Sequence, residues 1–129
     1  MILTIKTDQP IAELSLICDS EQIDDYSWQA HRALATTILT KINELLETND
    51  TSFNDLTGLV VYKGPGSFTG LRIGATVANT LAYSLDMPVV GTNGVNWRND
   101  GAKRITNNEN DHIVKPEYGG EANITAPKK

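Results

Sequence analysis

The residues that could do chemistry in this chain cluster in one run, Gly64-Pro65-Gly66-Ser67-Phe68-Thr69-Gly70-Leu71-Arg72-Ile73-Gly74. An apolar segment, Leu59–Tyr62, precedes it, and a helical pattern from Leu71 to Leu85 follows. A glycine-rich turn between a strand and a helix can offer free backbone N–H groups to a phosphate or carboxylate. Gly64 and Gly66 permit backbone angles closed to other residues, Pro65 stiffens the turn between them, and Ser67 and Thr69 are candidate N-caps. The run is not a Walker A loop, which needs Lys followed by Ser or Thr after its last glycine, and it contains no GxGxxG. Read plainly, it is a capped turn that could also hold an anion.

Other reactive groups are scattered. His31 and His112 stand far apart in the sequence, too few for a metal site, which wants three or four ligands. Ser67 has no evident base, although His31 is a conceivable partner in space. Cys18 is expected to be buried in a strand and inert. A lone cysteine allows no internal disulfide, which suits the cytoplasm.

The elements that must position the turn can be read in order. Residues 2–5 form a first strand, and Ile11–Cys18 alternates as a second, with Ala12, Leu14, Leu16 and Cys18 on one face. Gln22–Trp28 is a weaker third, with Ile23, Tyr26 and Trp28 inward. Short turns make these an antiparallel meander. Ala30–Glu47 is the first helix, striped by Leu34, Ile38, Ile42 and Leu45/Leu46. Leu59–Tyr62 is strand four and Pro88–Gly91 strand five. The helix between them makes a β-α-β unit, so those two strands are expected to be parallel.

The second helix carries two ridges. Gly70, Gly74, Ala78 and Ala82 recur every four residues as a smooth one, and Ile73, Val77, Leu81 and Leu85 form a bulky one beside it. The bulky ridge is expected to bury against the sheet, and the smooth ridge to let another helix come close, either the first helix or a partner. After about Val95 the sequence becomes Asn-rich without a clear period. Residues 1–96 are therefore expected to form one lobe and 97–129 an irregular tail.

At 129 residues and net charge −5 the chain is one acidic domain. The negative excess falls in residues 1–97. An acidic surface is a poor autonomous grip for nucleic acid. The chain opens without the basic start of a signal peptide, and no apolar segment has membrane-spanning length.

The eleven-residue run Gly64–Gly74 resembles the signature of the TsaB (YeaZ) family, bacterial subunits of the tRNA threonylcarbamoyladenosine machinery. Ile2–Ile5 with Thr7, His31 ahead of Leu45-Leu46, Pro88–Gly91 and the terminal Tyr118–Lys129 are similar to family segments, so the resemblance covers about residues 1–95 and the last dozen. It implies an α/β fold: one ribonuclease H-like lobe of the actin-like ATPase architecture, in the order β-β-β-α-β-α-β. Typical members are about twice this length, with a second lobe. The resemblance further implies a non-catalytic subunit that supports a TsaD-like catalytic subunit through the two helices of the first lobe. A TsaE-like ATPase joins the complex, and tRNA is met only through it. No cofactor of its own is implied, since ATP is used by the wider complex. Gly70, Arg72, Gly74, Ala78, Ala82 and His31 become candidate partner-binding residues, and Gly64–Thr69 the motif turn.

Two alternatives stay open: a self-associating homodimer through the same surface, and a nucleotide hydrolase of the actin-like fold. Lys6 weighs against the hydrolase, because the family places an Asp on the first strand there, and Asp8 lies in the following turn. The stretch Thr92–Trp97 also lacks the metal-binding His-x-x-x-His that the related TsaD carries after strand five.

Overall fold

The computed structural model describes residues 1–118. Five strands and three helices follow in the order β1 (Ile2–Lys6), β2 (Ile11–Cys18), β3 (Glu21–Gln29), α1 (Leu34–Thr48), β4 (Gly58–Tyr62), α2 (Phe68–Leu85), β5 (Val89–Thr92) and α3 (Trp97–Thr106). The sheet runs β3-β2-β1-β4-β5. Its first half is the antiparallel meander, with Leu3 opposite Leu16 and Leu14 opposite Tyr26. Its second half is parallel, with Leu3 beside Leu59 and Val60 beside Val90. The antiparallel meander and the parallel β4–β5 pair are those the sequence leads one to expect; the parallel pairing of β1 with β4, which joins the two halves, is seen only in the structure.

Strand alternation divides the core between two faces. Leu3, Ile5, Leu14, Leu16, Leu59, Val61 and Val89 face α1 and α2, and meet the α1 stripe of Leu34, Ile38, Ile42, Leu45 and Leu46. Ile2, Ile17, Val60 and Val90 face the other way, toward Trp97, Ala102 and Ile105 of α3. Two apolar faces explain why β1 and β4 read as continuous apolar runs rather than alternating ones. Among the apolar residues, Thr4 and Ser15 are fully buried neighbours whose hydroxyls hydrogen-bond to each other across β1 and β2.

Several expectations need correction. Residues 97–106 are not irregular tail but a helix, and 107–118 continue along the same packed unit. The helical signal is weak because the buried face of α3 is Trp97, Gly101, Ala102 and Ile105, only two of them large. Gly101 is there for closeness: a Cβ on it would come within 2.8 Å of Val60 Cγ2. On β3 the inward side is Asp24, Tyr26 and Trp28, while Ile23 is exposed. A register shift between Leu16 and Ile17 pairs them with Asp24 and Gln22, which leaves Ile23 as the extra residue of a bulge. Cys18 is half-buried rather than buried. A 3-10 turn, His31–Ala33, precedes α1, which therefore starts later than its apolar period suggests. Among the described residues no helix is long and apolar enough to cross a membrane. The expectations for Gly119–Lys129, including Ile124-Thr125, lie outside the described residues.

Candidate functional site

The motif turn links the carboxyl end of β4 to α2 and docks on the end of β1. Gly64 has a φ of 127°, in the left-handed region, and a side chain there would also press on Leu71 Cδ1 at 3.2 Å. The Ser67 N–H donates to the Asp8 carbonyl at 3.0 Å, and the Leu71 N–H to the Ser67 carbonyl at 2.9 Å. Ser67 is the N-cap of α2, its Oγ accepting from the Gly70 N–H at 3.4 Å. Thr69 lies inside the helix and is not a cap.

Thr7 sits where the smooth ridge of α2 begins. Its hydroxyl donates to the Gly70 carbonyl at 2.7 Å. A Cβ on Gly70 would collide with the Thr7 carbonyl oxygen, and one on Gly74 with the Thr7 hydroxyl. Ala78 and Ala82 carry the same line into the main core, at 0% and 5% exposure. The smooth ridge is thus the inward face of α2, and this corrects the expectation that Gly74, Ala78 and Ala82 form an open docking ridge. Small residues are needed because α2 lies directly on the end of its own central strand. The close approach is intramolecular.

The open side of α2 is the one led by its bulky ridge. Ile73 and Val77, half-buried, join Ala35 of α1 and Phe68, Thr69, Arg72 and Thr76 around a groove of about 310 Å³. Phe68 is 55% exposed, and Leu39 on α1 is 52% exposed. Arg72 supplies the charge of that lining, its guanidinium 5.4 Å from the Phe68 ring centroid. Phe68 also meets Tyr118, with ring centroids 4.4 Å apart. Of the expected partner residues, Arg72 therefore lines an open groove, together with Phe68 of the motif. Gly70 is at the turn. His31 lies in the 3-10 turn ahead of α1, and its side chain is outside the described residues.

At the end of β1, Lys6 Nζ and Asp8 Oδ1 form an ion pair of 2.7 Å, with the Asp8 side chain 7% exposed. The Lys6 ammonium also lies 4.7 Å from the Tyr62 ring centroid. The Asp8 carboxylate, beside Gly66 of the motif turn, is thus engaged by the ammonium two residues earlier in the chain.

A strap of residues 107–118 closes the free edge of β5, and the sequence gives little sign of it. Asn110 Oδ1 accepts from the Val89 N–H at 3.1 Å, and the Asp111 carboxylate accepts from the Gly91 N–H at 2.8 Å. Asn79 of α2 makes a two-way amide pair with the backbone of Val114, at 2.8 and 3.0 Å. Arg104 of α3 grips both Glu109 and Asp111. Burial pushes the Asp111 carboxyl up, but the Arg104 hydrogen bonds and the Gly91 N–H outweigh it and hold the group below the ordinary carboxylate range. The hydrogen bonds that its guanidinium donates to Asp111 and Glu109 hold Arg104 above its usual value. Asn79, which anchors the strap on α2, stands beside Thr76 and Thr80 and is not singled out by the sequence.

This geometry can be set beside known proteins. The model of the family described as TsaD, tRNA N6-adenosine threonylcarbamoyltransferase, matches residues 28–107, through the end of α3. The tRNA threonylcarbamoyladenosine biosynthesis protein TsaB of Bacillus subtilis (strain 168) is 38% identical over 88 residues, 68% of this chain and 38% of that protein. The chain belongs to that family, in its TsaB/YeaZ branch. TsaB of Escherichia coli (strain K12) is 38% identical over 74 residues, 53% of this chain and 32% of that protein. YeaZ from Pseudomonas aeruginosa superposes with a TM-score of 0.66 at 24% identity, over 71% of this chain and 43% of that one, and shares the fold. The chain spans well under half the length of these TsaB/YeaZ relatives.

Proposed function

We propose that this chain is a non-catalytic subunit in tRNA threonylcarbamoyladenosine biosynthesis that docks a TsaD-like catalytic subunit through the groove between α1 and α2. The observation that carries the reading is an exposed aromatic-cation pair, Phe68 and Arg72, at the mouth of an apolar groove beside the family motif. Interfaces draw their affinity from a few aromatic and arginine anchors set among apolar neighbours. The family supplies the process, and the groove supplies a way to take part in it. The Lys6–Asp8 pair supports a supporting role, because it fills the end of β1 with an ammonium where the actin-like ATPases need a free carboxylate for metal and phosphate.

The reading is tested by mixing the full chain with the TsaD-like subunit of the same genome and weighing the product by light scattering after gel filtration. One-to-one or two-to-two association supports it. Self-association that excludes the catalytic subunit would favour the homodimer, and two non-interacting monomers would contradict both.

A further inference from the structure

The loop between β5 and α3 carries the chain's one Asn-Gly pair, Asn93-Gly94. Both residues are exposed. Gly94 has a φ of 86°, and a Cβ placed on it would meet nothing within 4 Å. Its N–H makes no hydrogen bond among the described residues. A free backbone nitrogen next to a side-chain amide, with no Cβ of its own in the way, is set to attack that amide. The other Asx-Gly pair, Asp100-Gly101, lies inside α3, where the helical backbone holds the nitrogen away from the preceding side chain.

The Asn93 amide is also a fastener. Its Nδ2 donates to Glu117 Oε1 at 3.0 Å, while Glu117 Oε2 meets Lys63 Nζ at 3.2 Å. The Glu117 N–H donates to the Lys63 carbonyl at 2.6 Å, so this cluster ties the end of the strap to the residue that follows β4. Tyr118, next along, packs on Phe68.

We propose that Asn93 is a deamidation site guarded by the strap, and that its conversion releases the strap's end irreversibly. The Gly94 nitrogen gives up its proton to solvent base and bonds to Asn93 Cγ. The Cγ–Nδ2 bond breaks, and ammonia leaves a five-membered imide. Water then adds to one imide carbonyl, and the ring opens to aspartate, or to isoaspartate with an extra carbon in the backbone. While Nδ2 is held by Glu117 the amide is kept in one orientation, so the closed strap slows the attack. Afterwards a donor has become an anion. The new carboxylate repels Glu117 and competes with it for Lys63, so the strap's end loses its hold. Neither step depends on what the groove binds.

Ageing the full chain at mildly alkaline pH, followed by fragment mass spectrometry, tests the site and its guard. Position 93 is expected to gain about one mass unit. It should do so at least about tenfold faster than Asn96, in the same loop but followed by the bulky Trp97. Glu117→Ala should speed the conversion about fivefold, the equivalent of one hydrogen bond. Asn93→Asp, which supplies the aspartate product directly, tests the release by hydrogen exchange. The Glu117 amide should exchange at least about fivefold faster than in the native chain, while the amides of β4 keep their protection. Equal rates at Asn93 and Asn96 would overturn the site. An unchanged rate in Glu117→Ala would overturn the guard, and native exchange at Glu117 in Asn93→Asp would overturn the release.

Discussion

The Thr7 hydroxyl donates to the Gly70 carbonyl across 2.7 Å and so ties the end of the central strand to the first turn of α2. A carbonyl in the first turn of a helix is normally committed to the helix alone, and here it accepts a second bond from outside. With Gly74 pressed on the same threonine, the contact sets the height at which α2 lies over the sheet, and therefore which of its residues remain open.

Gly74→Leu should destabilise the whole fold rather than trim a surface. A side chain there collides with Thr7, and overpacking of this kind costs about 1–3 kcal/mol, or more where backbone must shift. Thr7→Val, which keeps the shape and removes the donor, should cost about 1 kcal/mol. Urea unfolding followed by circular dichroism separates these outcomes. An unchanged midpoint for Gly74→Leu would mean that the ridge is open after all.

Truncating Trp97 should cost about 3–5 kcal/mol, as for a large buried aromatic. Its ring meets Tyr62 edge-on at 5.7 Å and is 3% exposed. The same urea experiment on Trp97→Ala measures it. A loss below about 1 kcal/mol would put residues 97–106 outside the cooperative unit.

The Asp111 clamp predicts an acid limb. Its carboxyl is held below the value of an unfolded Asp, near 3.9. The stability it contributes is therefore complete above about pH 4 and is lost as pH falls through the folded value. Asp111→Asn should lower stability at pH 6 and flatten the fall between pH 4 and pH 2. Urea midpoints measured across that range give the comparison, and parallel curves for the two proteins would contradict the clamp.

The five strands and the two long helices were legible because the alternation of β2, the apolar runs of β1 and β4 and the α1 stripe are strong signals that packing does not override, whereas the parallel pairing of β1 with β4 is a long-range contact the sequence does not show. The orientation of α2 was not. Glycine and alanine every four residues signal close approach, but they do not say to what, and here the neighbour is Thr7, some sixty residues earlier. Helix α3 escaped because Gly101 and Ala102 take positions where a helical stripe normally shows large side chains. The strap escaped because Asn110 and Asp111 replace ladder hydrogen bonds on β5 with side-chain ones, and in the sequence such residues look like loop. The candidate site was legible in part: Arg72 and the motif turn stand at the open groove, while Phe68 drew attention only as a member of the turn.

The docking face is tested most directly by titrating the TsaD-like subunit with the full chain in a calorimeter, comparing the native sequence, Phe68→Ala and, on the opposite face, Lys103→Glu. The groove reading predicts that Phe68→Ala weakens binding by at least about thirtyfold, the 2 kcal/mol of an aromatic anchor, and that Lys103→Glu leaves it within about twofold. Native affinity for Phe68→Ala, with its fold intact by circular dichroism, would contradict the assignment of the groove as the docking site.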